Sequence, residues 1–94
     1  IFMCTGIVGE DSSAIDSQFL IYSTTHCPYC VGAKNYLTAK GVSFVELMLD
    51  TNDEKRNALI KETGHRTVPL IFDLRSGSPV FIGGFDDLRA SGAV

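Results

Sequence analysis

Apolar residues along this chain gather into four short runs, separated by polar stretches of helical length or by turn residues. The first run, Phe19-Leu20-Ile21-Tyr22, is apolar without interruption, as a strand buried on both faces must be. A Ser/Thr/His segment leads from it to Cys27-Pro28-Tyr29-Cys30, which opens a predicted helix read from Val31 to about Lys40. That helix sets Cys30, Ala33 and Leu37 on one face and has Gly41 just past its end. Val42 to Leu49 reads as the second strand, with Glu46 as its only charged member. Thr51 and Glu54 have the spacing of a capping box, so the second helix is expected to begin there. It is a polar helix with Ala58, Leu59 and Ile60 as its core contribution, and Gly64 ends it. Val68 to Phe72 and Val80 to Ile82 are two further strands joined by a polar loop from Asp73 to Pro79, which predicts an antiparallel hairpin. Gly83-Gly84 then leads into a last helix from about Phe85 to Val94, its Asp86 and Asp87 complementing the helix dipole. The order βαβαββα predicts an α/β fold. A parallel crossover pair and a hairpin form a four-stranded mixed sheet with helices on both faces.

Residues 1–17 have no clear periodicity and are read as an N-terminal extension, with residues 18–94 as one domain. With 94 residues, 45% of them hydrophobic, the chain supports one modest core and no second domain. A net charge of −3, with no basic cluster longer than Lys55-Arg56, argues against nucleic acid as a partner. No apolar run approaches the roughly 20 residues of a membrane span, and residues 1–8 do not make a convincing signal peptide.

Three cysteines, two of them in a C-x-x-C, are not the dense even set of a secreted disulfide scaffold, so a reducing compartment is expected. A cytoplasmic location follows, with an organelle as the alternative that the extension leaves open. Cys4 is given no function. The pair Cys27 and Cys30 is read as a redox site because of where it stands. The start of a helix leaves backbone N–H groups without intrahelical partners and carries the positive end of the dipole, which favours Cys27 as a thiolate. Pro28 suits the first helical position, and the spacing folds Cys30 back one turn towards Cys27. A four-ligand zinc site is not expected, since only Cys4, His26 and His65 remain as partners.

Pro69 stands inside what otherwise reads as a buried strand, where it has no N–H for the ladder. A trans proline at the strand's entrance and a cis Val68-Pro69 bond both suit the local sequence, and the cysteine motif favours cis. A cis bond would leave the Val68 backbone free to pair with an extended substrate.

Tyr22, Cys27-Pro28-Tyr29-Cys30, Thr67-Val68-Pro69 and Gly83-Gly84-Phe85-Asp86-Asp87-Leu88, in this order and spacing, resemble a dithiol glutaredoxin over residues 18 to about 90. The resemblance implies a thioredoxin-like fold and glutathione-dependent reduction of protein–glutathione mixed disulfides and protein disulfides, with glutathione as co-substrate and no metal. It implies that Cys27 is the attacking thiol and Cys30 the resolving one. Glutathionylated or disulfide-bonded proteins are the implied partners, ribonucleotide reductase among those allowed, and the protein is expected to be a monomer. Two other functions stay open. One is a thioredoxin-reductase-dependent hydrogen donor to ribonucleotide reductase. The other is a dimer holding an iron–sulfur cluster through Cys27 and glutathione, against which Pro28 and Cys30 count.

The same resemblance implies a glutathione site. Arg56, eleven residues before Thr67, stands at the family position that grips the glycine carboxylate, and Val68, between Thr67 and Pro69, pairs with the cysteinyl backbone. Gly84 and the N–H groups of Phe85 and Asp86 hold the γ-glutamyl carboxylate, while Asp86 or Asp87 takes the ammonium. Tyr29, Thr24, Thr67 and Pro69 complete the set. Thr24 is also a departure, because many glutaredoxins carry a lysine there, and Phe85 stands where a cysteine is common. His26, beside Cys27, is read as a surface histidine.

Overall fold

The computed structural model describes residue 11, residues 15–77 and residues 79–92. Cys4 and most of the segment read as an extension therefore lie outside the described residues. Among the described residues four strands and three helices follow in the order β1 Phe19–Ser23, α1 Pro28–Ala39, β2 Phe44–Met48, α2 Asp53–Thr63, β3 Leu70–Asp73, β4 Val80–Gly83 and α3 Phe85–Ser91. The sheet order is β2-β1-β3-β4. The β1–β2 pair is parallel, with Ile21 opposite Glu46, whereas β1–β3 and β3–β4 are antiparallel. This is the four-stranded mixed sheet that the hydrophobic pattern predicts, and it is the thioredoxin-like fold that the resemblance implies.

Strand β1 is central and every residue of it is buried, which accounts for its unbroken apolar run. Its side chains alternate between two cores. Leu20 and Tyr22 pack with Leu49, Leu70, Phe72 and Leu59 of α2, while Phe19 and Ile21 pack with Ile71, Ala33 and Leu37 of α1 and Leu88 of α3. Helices α1 and α3 thus share one face of the sheet and α2 covers the other. Two of the described residues of the N-terminal segment reach the α2 side: Ile15 packs against that core, and Asp11 accepts from the Tyr22 hydroxyl at 2.6 Å and pairs with Lys55 at 3.0 Å. Among the described residues no helix is long and apolar enough to cross a membrane.

Several boundaries differ from the sequence expectation, each for a local reason. Helix α1 begins at Pro28 and not Val31, because Cys27 itself serves as the N-cap. The predicted Thr51–Glu54 capping box does not form. Asn52 bonds back to the Leu49 carbonyl at 3.2 Å, so the turn uses Thr51 and the chain enters α2 one residue later. The Asn52 side chain then accepts from the Lys55 N–H at 3.0 Å and is the actual cap. Of the three apolar residues assigned to this helix's core, only Leu59 is fully buried. Gly64 closes the helix in the left-handed region at φ +74°, its N–H on the Ile60 carbonyl. Strand β3 starts at Leu70, so Pro69 precedes the ladder and removes no bond from it.

Glu46, the charge in β2, is satisfied from two sides, by the Ser23 hydroxyl and by the Lys34 ammonium of α1 at 3.0 Å. Burial alone would push its carboxyl up, yet these two donors hold it below the ordinary glutamate value.

Candidate redox site

Cys27 ends the loop after β1 in extended conformation, φ −140° and ψ 97°, and its sulfur takes the capping role that a serine or aspartate oxygen usually fills. The Cys30 N–H donates to the Cys27 sulfur at 3.2 Å. The Cys27 carbonyl accepts from Cys30 and Val31 at 3.1 and 3.2 Å. A donor aimed at sulfur, added to the positive end of α1, favours the thiolate of Cys27 over its thiol. Cys27 and Cys30 form a disulfide, with their Cα atoms 5.2 Å apart. Cys27 keeps 7% of its surface exposed and Cys30 only 1%, so reagents from solvent meet Cys27 first.

Two segments fix this corner. On one side Asp50, just after β2, receives Thr25 of the loop before Cys27. On the other, the Val68-Pro69 bond is cis and the Val68 carbonyl oxygen stands 3.6 Å from the Cys27 sulfur. Beyond Val68 opens a cavity of about 300 Å³ lined by Tyr29, His65, Thr67, Val68, Pro69, Gly84, Phe85, Asp86 and Asp87. The structure therefore brings together in one cavity most of the residues predicted from three separate stretches of sequence. Thr24 and Arg56 do not line it; Thr24 is half-buried in the loop before Cys27, and Arg56 is exposed on α2.

The acidic wall is the start of α3. Its N-cap is Gly84, and Asp87 accepts from the Gly84 N–H at 3.0 Å. The preceding Gly83 lies at φ +125°, where a side chain would run into the Asp87 carboxyl group. Asp86 pairs with Arg89 at 2.7 Å on the exposed face.

His65 is a cavity residue that the sequence alone offers only as a zinc partner. Its Nε2 is 3.1 Å from the Thr67 hydroxyl and its ring meets Phe81 edge-on at 5.5 Å. The available signal was its position in the same short connection, two residues before Thr67. Among the described residues no group of three His, Cys, Asp or Glu is placed to hold a metal ion.

A protein-family model described as Glutaredoxin matches residues 19–74. This chain belongs to the glutaredoxin family. It is 50% identical over 70 residues to Glutaredoxin 3 of Escherichia coli K12, a match covering 74% of this chain and 80% of that one. It is 42% identical to a glutaredoxin of Pseudomonas aeruginosa, over 76% and 80% of the two chains. Among solved structures, wheat glutaredoxin superposes with a TM-score of 0.72 at 35% identity, over 86% of this glutaredoxin and 79% of that chain. A buckwheat glutaredoxin–glutathione complex superposes with a TM-score of 0.73 at 28% identity, over 87% and 74%. As a glutaredoxin with a C-x-x-C pair, the protein is a thiol–disulfide oxidoreductase of dithiol type.

Proposed function

We propose that this glutaredoxin draws its electrons from glutathione and reduces protein–glutathione mixed disulfides and protein disulfides. The observation that carries the reading is the cavity beside the capping sulfur of Cys27, which joins the Val68 backbone to an acidic helix start. A related fold, that of the buckwheat protein, holds glutathione in its crystal structure.

In this reading the Cys27 thiolate attacks the glutathione sulfur of a mixed disulfide. The Cys27–glutathione bond forms, the old S–S bond breaks, and the freed protein thiolate takes a proton from water. A second glutathione thiolate then attacks the bound glutathione sulfur, leaves as oxidised glutathione, and returns Cys27 to its thiolate. With a protein disulfide, the target joins Cys27 first. Cys30 then attacks the Cys27 sulfur, releasing the reduced target and leaving the Cys27–Cys30 disulfide for two glutathiones to reduce. Burial of Cys30, with its Cα 5.2 Å from that of Cys27, suits it to this intramolecular step.

Glutathione carries two carboxylates and one ammonium. Val68 offers backbone groups to its cysteinyl unit, and Asp86 and Asp87 offer carboxylates to the ammonium. The first-turn N–H groups of Phe85 and Asp86 lie beside them for the γ-glutamyl carboxylate. Arg56 makes no ion pair with a described carboxylate and has the reach of a long side chain, so it is assigned to the glycine carboxylate. The test is turnover of a glutathionylated substrate with glutathione and glutathione reductase. Turnover only when thioredoxin reductase replaces them would overturn the assignment.

A further inference from the structure

Glycine is a poor helix former, and Gly32 stands inside α1, two residues after Cys30. Space explains it. A Cβ at Gly32 would lie 2.8, 3.1 and 3.3 Å from Cε2, Cδ2 and Cζ of Phe85, all on one edge of the ring and all inside the normal carbon–carbon separation of about 3.5 Å. Phe85 is the first residue of α3 and also a wall of the cavity, next to Asp86 and Asp87. Its ring is not free to swing aside without loss: Tyr36 of α1 meets it edge-on at 6.1 Å, and the Arg89 guanidinium lies over it at 4.8 Å. One notch in the dithiol helix thus receives the residue that begins the acidic helix.

We infer that Gly32 is a positioning residue for the glutathione site, its missing side chain seating the Phe85 ring and so setting the cavity wall relative to the dithiol. The inference rests on the proposed use of glutathione. The Phe85 ring is accommodated there because the facing residue is glycine. Any atom added at 32 moves the ring or parts the two helices, and either change reshapes the wall on which the tripeptide would rest.

A double-mutant cycle tests this, read as KM for glutathione, kcat and melting temperature. Gly32→Ala in the parent is expected to raise KM about tenfold with kcat within about twofold, and to lower the melting temperature although alanine is the better helix former. In a Phe85→Ala background the ring is gone. There Gly32→Ala should change KM by less than about twofold and leave the melting temperature equal or higher. An unchanged KM for Gly32→Ala in an active parent overturns the inference while the proposed function stands. Equal effects in both backgrounds, or a double variant that does not fold, also overturn it, since the ring is then not what glycine accommodates. A parent with no glutathione-dependent turnover removes the proposed function, and this inference with it.

Discussion

Thr25 gives both its backbone N–H, at 3.0 Å, and its hydroxyl, at 2.7 Å, to the carboxylate of Asp50. The loop that delivers Cys27 to its helix is thereby tied to the turn that follows β2. These Thr25 bonds, with a further contribution from His26, hold the Asp50 carboxyl below the ordinary aspartate range. A carboxyl depressed by folding stabilises the fold above its unfolded value of about 3.9, and that contribution is lost as pH falls through the folded value. Asp50→Ala should lower kcat/KM a few-fold by loosening the loop, and should make urea stability less dependent on pH below about 4. A variant with parental kcat/KM would show that the loop holds Cys27 without this tether.

The two cysteines should separate cleanly. Cys27→Ser removes the sulfur that caps α1 and is expected to abolish turnover on every substrate. Cys30→Ser should keep activity on glutathionylated substrates and lose most of it on protein disulfides, since only the second needs an internal resolving thiol. The assay is turnover of each variant on both substrate types. An inactive Cys30→Ser beside an active Cys27→Ser would exchange the roles.

Arg56→Ala tests the grip assigned to the glycine carboxylate. The KM for glutathione should rise roughly three- to tenfold with kcat near parental, the pattern of a lost binding contact away from the reacting sulfur. An unchanged KM takes Arg56 out of the site.

Tyr22 is fully buried and gives its hydroxyl to Asp11, which also pairs with Lys55. Tyr22→Phe should cost about 1.5–3 kcal/mol in chemical denaturation, the range for a hydrogen bond to a charged group. Burial first, and then the bond to Asp11, push the Tyr22 hydroxyl well above the ordinary tyrosine pKa. Its stabilising contribution is therefore intact below the unfolded value of about 10 and falls away as pH rises beyond it. The phenylalanine variant should lose less stability between pH 9 and about pH 11 than the parent does. A parallel decline in the two proteins would mean that some other group governs the alkaline limb.

The topology was legible because each strand's burial is written in its own residues: a doubly buried run in β1, and a charge in the outer strand β2. Helix starts were less so. Thr51 and Asn52 both suit an N-cap, and the choice fell to a backbone turn from Leu49 that no side-chain pattern encodes. The cysteine pair could be placed from Pro28 and the helical run behind it. His65 could not, since its role arises from Phe81 and Thr67 closing around it in three dimensions. The fit of Gly32 to Phe85 joins positions more than fifty residues apart, and neither residue hints at the other.

Glu46 has one more effect, at the border of the sheet. An outer strand offers unpaired backbone groups to any passing extended chain, and the stickiest sequence here, Phe19 to Tyr22, lies in the middle where none can reach it. At the β2 border a newcomer would meet a carboxylate held by Ser23 and Lys34; at the β4 border it would meet Pro79 and a strand whose ladder slips between Ile71 and Phe72. Both margins are poor templates for self-association, so replacing Glu46 with an apolar residue should be felt first as aggregation on storage.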